Sequence, residues 1–90
     1  MTDDALAELL TLTVEVDKFG TYYFNALGEL HRVHGPATTL FSGTNRWHQN
    51  GILHRTDGPA IEWCDGDKEW LINGQGLTER EFNERIKTIR

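Results

Sequence analysis

The chain is short of the residues that would tie it to the commonest small-protein chemistries. It has one cysteine, two prolines and one methionine among 90 residues, and no apolar run of membrane-spanning length. Cys64 alone forms no internal disulfide, which excludes a disulfide-stapled scaffold and suits a reducing interior. Without paired cysteines, a standard zinc-ligand pattern is also missing. The opening Met1-Thr2-Asp3-Asp4 is acidic and precedes no long apolar stretch, so the expectation is a cytoplasmic chain with neither signal peptide nor membrane span. Nucleophile elbows, phosphate loops and carboxylate dyads are absent as motifs, so the reading is of no enzyme, with no catalytic residue, metal or cofactor.

Acidic residues are missing from one region in particular. Between Leu30 and Thr56 there are three arginines and no acid, whereas 57–84 holds eight acids against Lys68 and Arg80. The net charge of −5 argues against direct nucleic-acid binding, which needs clustered Lys and Arg to meet phosphates. An acidic surface suits a basic partner or simply faces water.

What the chain does have is a repeat. At an offset of 23 residues, Gly28, Leu30, His31, Arg32, Gly35, Pro36, Ala37, Gly43 and Trp47 recur as Gly51, Leu53, His54, Arg55, Gly58, Pro59, Ala60, Gly66 and Trp70. The phase extends outwards, with Gly20 before Gly43, Gly74 after Gly51, and Phe24 in the place of Trp47 and Trp70. Glycine, proline and tryptophan are geometrically demanding, so their coincidence marks a structural unit rather than shared composition.

Each unit contains two turn signals. One corner is Phe19-Gly20, Ser42-Gly43 or Asp65-Gly66, and the other is Leu27-Gly28, Asn50-Gly51 or Asn73-Gly74. Asn-Gly and Asp-Gly favour the positive φ angles of type I′ hairpins. Aromatic and β-branched runs lie between them, predicting an antiparallel meander of six or seven short strands. Gly35-Pro36-Ala37 and Gly58-Pro59-Ala60 should mark strand entries, since proline donates nothing to a ladder. Phe24, Trp47 and Trp70 should form an aromatic column.

Helices are expected at both ends. Thr2 can cap a first helix, with Asp3 and Asp4 in its first turn and Leu6, Leu9 and Leu10 sharing a face, and Val14 and Val16 then show strand spacing. At the other end Thr78 and Glu81 have capping-box spacing, and Phe82, Ile86 and Ile89 form an apolar stripe that runs towards the basic Arg85, Lys87 and Arg90. The whole reads as a single mainly β (α+β) domain: helix 1–12, repeat sheet 13–76 and helix 77–90, with the helices closing the ends of the meander.

With Trp47-His-Gln-Asn-Gly-Ile-Leu-His-Arg-Thr-Asp-Gly-Pro-Ala60, Asp65-Gly66 and Trp70 in view, the unit resembles divergent MORN-like repeats, in the His-Arg and Gly-Pro-Ala variant of small phage and mobile-element proteins. The resemblance spans about residues 14–76. It implies a ribbon of β-hairpins acting as a non-catalytic binding surface. It also implies, as a concrete form, a small phage-encoded inhibitor of a host protein or defence complex, such as an anti-CRISPR.

Several side chains compete for functional roles. His31 and His54 recur at one position, which points to a structural bond made twice, such as a ring nitrogen to a neighbouring carbonyl. His34 and His48 have Asp57 and Asn25 in the related places and are freer for function; the alternative chemistries are a zinc site from some of His31, His34, His48, His54 and Cys64, and a metal-dependent hydrolase or nuclease using the four histidines. Arg32 and Arg55 suit stacking on the aromatic column or pairing with Asp57; alternatively Arg32, Arg46 and Arg55 make a basic stripe. The expected partner-binding set is Trp47, Trp63, Arg46, Arg55, Asp65, Asp67 and Glu69, on a face the helices leave open and facing a host protein or complex. Sheet edges that pair across a two-fold axis, giving a homodimer, are the structural alternative.

Overall fold

Two kinds of turn set the path of the chain. In the computed structural model, which describes residues 3–89, Asn50 and Asn73 both have φ of 51°, and Gly51 and Gly74 follow at 81° and 80°. These are the paired positive angles of type I′ hairpins. Asp65-Gly66 departs from that expectation: only Gly66 has positive φ, its N–H donates to Trp63 O, and Trp63 N–H donates to Asp67 O. That pattern is a type I turn closed by a glycine bulge, and Leu40–Thr44 and Asn25–Glu29 repeat it. Asp is compatible with the right-handed angles of a type I turn, so the dipeptide alone did not decide the turn type.

Among the described residues nine strands result, two or three more than the six or seven expected. They are β1 (Thr13–Val16), β2 (Gly20–Phe24), β3 (Thr38–Leu40), β4 (Asn45–Arg46), β5 (His48–Gln49), β6 (Ile52–Leu53), β7 (Ile61–Glu62), β8 (Lys68–Ile72) and β9 (Gln75–Leu77). The main sheet is antiparallel in the order β1-β2-β3-β4-β7-β8-β9, and β5-β6 forms a separate hairpin. The extra elements arise at Trp47, where one apparent strand changes partners. Trp47 N–H donates to Ala60 O while its carbonyl accepts from His54 N–H.

Glycine and alanine permit close approach where the units stack. A Cβ on Gly20 would lie 2.3 Å from Thr39 O, which only glycine avoids. Ala37 and Ala60, each just after a Gly-Pro, are fully buried at the entries to β3 and β7.

The helices are α1 (Asp3–Thr11) and α2 (Glu79–Ile89). Thr2, Arg90 and the Ile89 side chain, assigned from sequence to helix ends and the apolar stripe, lie outside the described residues and side chains. At α2 the capping box forms as read: Thr78 N–H donates to Glu81 Oε1 at 2.9 Å, and Glu81 N–H donates to Thr78 Oγ1 at 3.1 Å. Leu77 belongs to β9 rather than to the helix, because it still pairs with Trp70. Phe82 and Ile86 are buried with Ile72 and pack against Trp70 and Leu77. Burial of this kind contributes about 1.5–3 kcal/mol per large side chain.

The first helix follows a different rule from the one expected. Leu6 and Leu10 are exposed, and Ala5, Glu8 and Leu9 are the partly covered positions. The Glu8 carboxylate anchors α1 by accepting from Val33 N–H at 2.7 Å and His34 N–H at 2.9 Å. All four residues of the edge strand β1 remain exposed, so closure of the meander falls to α2.

Candidate binding surface

His31 and His54 do perform one task twice, although in the opposite sense to a bond with a carbonyl. Nδ1 of each ring accepts a backbone N–H, from Asn50 and Asn73 respectively, at 2.9 Å. An accepting Nδ1 places the neutral ring's proton on Nε2. Each histidine therefore fixes the Asn-Gly corner of the next unit.

Arg55 stacks 3.8 Å above the Trp47 ring. Its Nε donates to Asp57 Oδ1 at 2.7 Å, and its Nη1 donates to Pro59 O at 3.1 Å and Glu62 Oε2 at 3.3 Å. The guanidinium also lies against the backbone at Gly58, where a Cβ would be 2.7 Å from Cζ. Stacking, carboxylate pairing and a glycine seat together hold one arginine.

In the preceding unit the stacking ring belongs to Tyr23, not Phe24. Arg32 lies 4.3 Å over Tyr23. Tyr23 N–H donates to Ala37 O and its carbonyl accepts from His31 N–H, as Trp47 does with Ala60 and His54. Phe24 bridges Leu30 as His48 pairs with Leu53, so Phe24, rather than Asn25, is the counterpart of His48. The first hairpin carries one additional residue, absorbed in the bulged loop 25–29 where the second has the tighter Asn-Gly turn. The column is Tyr23, Trp47 and Trp70, and an ungapped 23-residue offset hides it.

A second surface lies on the other side of the sheet. Register places Glu15, Tyr22, Thr38, Arg46, Ile61 and Glu69 side by side across six strands; Thr38 and Ile61 are buried and the other four are at least partly exposed. Trp63, two residues beyond Ile61, points the same way. It is 37% exposed, Arg46 lies 5.3 Å over its ring, and its Nε1 donates to Glu69 Oε2 at 2.6 Å. Asp65 and Asp67 sit in the adjoining turn, where Asp65 Oδ1 accepts from Asp67 N–H. Tyr22 carries a hydroxyl whose pKa is raised by loss of hydration and by the Asp17 carboxylate, against an opposing pull from Arg46.

The anticipated binding residues therefore divide. Arg46, Trp63, Asp65, Asp67 and Glu69 come together, whereas Trp47 and Arg55 lie on the column face and hold each other. Arg46 is on the opposite face from Arg32 and Arg55, so the three arginines form no single stripe. Sequence reading missed Tyr22 and Tyr23, which a one-residue gap in the repeat would have brought into register.

The histidines and cysteine do not converge. Among the described residues no three His, Cys, Asp or Glu side chains are grouped to hold a metal ion. His48 has a buried Nδ1 without a hydrogen-bond partner, and burial, then the Arg46 charge, lowers its pKa. Cys64 is exposed. No helix among the described residues is long and apolar enough to cross a membrane. Compared with family models, curated proteins and solved structures, the chain matches none.

Proposed function

We propose that this protein is a non-catalytic binding module that docks on another protein through the face bearing Tyr22, Arg46, Trp63 and Glu69. The observation that carries this reading is the fixed, part-exposed Trp63. Its ring is stacked by Arg46 and hydrogen-bonded by Glu69, yet it belongs to no buried cluster with Ile72, Phe82 and Ile86. An aromatic side chain already held in one orientation loses little entropy on binding, which is how interface anchors gain affinity. Asp65 and Asp67 give the margin of this face a negative field suited to a basic partner.

The concrete form is a small phage-encoded inhibitor of a host protein or defence complex, such as an anti-CRISPR, acting in the host cytoplasm without a cofactor. The MORN-like repeat resemblance and the acidic margin support it. The test is affinity capture from bacterial lysate at low and high salt, using the parent chain, Trp63→Ala and the triple reversal Asp65→Lys, Asp67→Lys, Glu69→Lys. Expected is one host complex that Trp63→Ala loses at either salt and that the reversal weakens chiefly at low salt. Capture that survives both variants would overturn the assignment of this face.

A further inference from the structure

We infer that the groove beside Arg32 is a receptor for a carboxylate, supplied by an aspartate or glutamate side chain of a protein that meets the column face. It rests on the binding-module reading only in taking the carboxylate from a protein. Two copies of one structural unit inside one chain differ at this point.

Arg32 and Arg55 hold equivalent places, each stacked on the column ring of its own unit and each seated against glycine. Arg55 has three acceptors, two of them carboxylates. Arg32 has none among the described residues: its Nε is buried and donates to no acceptor. The difference is written in the sequence, since His34 and Thr39 stand where Asp57 and Glu62 stand one unit later. Glu8 does not replace them, because its carboxylate is engaged by Val33 N–H, His34 N–H and the His34 ring. An arginine held in the stacked geometry with its acceptors removed keeps the cost of desolvation without the compensating bonds. A bound carboxylate would restore them.

Space for it exists. A groove of about 500 Å³ is lined by Arg32, His34, Trp47, Arg55 and Asp57 among others, and the Asp57 carboxylate is already taken up by Arg55 Nε. Arg presents a planar fork that matches a carboxylate, and the indole gives an apolar wall for the methylenes of an acidic side chain. Asp57 lines the groove and Glu8 is bonded to the lining residues Val33 and His34, so a ligand with one negative charge suits the site better than a phosphate dianion.

The experiment is an NMR titration of the arginine Nε–H signals with the capped peptide acetyl-Ala-Glu-Ala-amide at constant ionic strength. Acetyl-Ala-Gln-Ala-amide, succinate and inorganic phosphate serve as comparison ligands. Expected is a saturable shift of the Arg32 signal with the Glu peptide, no shift with the Gln peptide, and little movement of Arg55. The shift should be lost in the double variant His34→Asp, Glu8→Gln, which supplies an internal carboxylate and removes the like charge it would meet. The double variant should also melt higher than Glu8→Gln alone. An Arg32 signal that does not saturate, or that moves equally in the double variant, would overturn the site. Phosphate saturating it ahead of the Glu peptide would overturn the carboxylate assignment. Tighter binding of succinate than of the Glu peptide would leave the carboxylate site standing and overturn its link to a protein partner. Loss of host capture by Trp63→Ala bears on the other face alone, so the two readings fail separately.

Discussion

Asn73 N–H donates to Nδ1 of His54 at 2.9 Å, and the bond is the same length as the one from Asn50 to His31 one unit earlier. Each bond reaches 19 residues along the chain and ties a hairpin corner to the unit before it. His31→Ala and His54→Ala should each cost about 1 kcal/mol, the usual net worth of one hydrogen bond. Urea unfolding gives the cost, and ring ¹⁵N shifts should report the Nε2–H tautomer for both residues.

His48 should make the protein sensitive to mild acid. Burial and Arg46 lower its folded-state pKa below the usual 6.5. The unfolded chain therefore takes up the proton first, so stability is fully present above about pH 6.5 and declines as pH falls through the folded pKa. Phe24 and Leu71 occupy the matching positions in the other units. His48→Leu should remove this acid slope and raise stability by about 1 kcal/mol, because it replaces a buried unpartnered nitrogen with carbon. Melting temperature from pH 8 to 5 distinguishes the variants.

At lower pH Glu8 should take over. Burial acts to raise its pKa, but the N–H groups of His34 and Val33, with the His34 ring, hold it below the usual 4.5. The stability it confers is present above about pH 4.5 and is lost as the carboxylate is protonated. Glu8→Gln should flatten that part of the profile and speed amide exchange at Val33 and His34.

Thr78→Ala should destabilise the protein by about 1 kcal/mol through loss of the helix cap. Phe82→Ala should cost about 3–5 kcal/mol, since it opens the buried cluster that Phe82 and Ile86 form with Ile72. Chemical denaturation of the two variants measures both, and the ordering should be unambiguous.

Two glycines separate steric need from composition. Gly20→Ala would drive a Cβ into Thr39 O and Leu40 Cα, both backbone atoms that cannot rotate aside, and should cost at least about 3 kcal/mol. Gly76, although inside β9, has nothing within 4 Å of a new Cβ. Gly76→Ala should stay within about 0.5 kcal/mol of the parent. Thermal unfolding of the pair checks the contrast.

The sheet and the C-terminal helix were legible because they rest on local chemistry: Asn-Gly corners, the Thr78/Glu81 box and the Phe82/Ile86 spacing each specify their own geometry. The column was legible only in part. Trp47 and Trp70 align at 23 residues, but the looser bulged loop at Asn25–Glu29 shifts the first member to Tyr23, a change of turn type that costs the alignment one residue. Leu6 and Leu10 misled because hydrophobic spacing says which residues share a helix face, while the Val33 and His34 N–H groups that donate to Glu8 determined which face turned inward. The split of Arg46 from Arg55 follows from strand alternation, since Arg46 and Trp47 are chain neighbours that point to opposite faces and Arg55 stacks on Trp47.

The third unit ends differently from the first two. Where His31-Arg32 and His54-Arg55 stand, it has Leu77-Thr78, and Thr78 starts a helix whose Phe82 and Ile86 pack with Trp70. Two adjacent residues thus act as a stop signal for an otherwise open-ended lattice, because each interior unit brings its own clamp for the next. A further 23-residue copy spliced ahead of Trp70 would find a histidine waiting for its corner and would bring the ring for its own arginine. Chain length, and with it the reach of any surface the units display, is therefore a quantity that gene duplication can adjust in whole steps without redesigning either end.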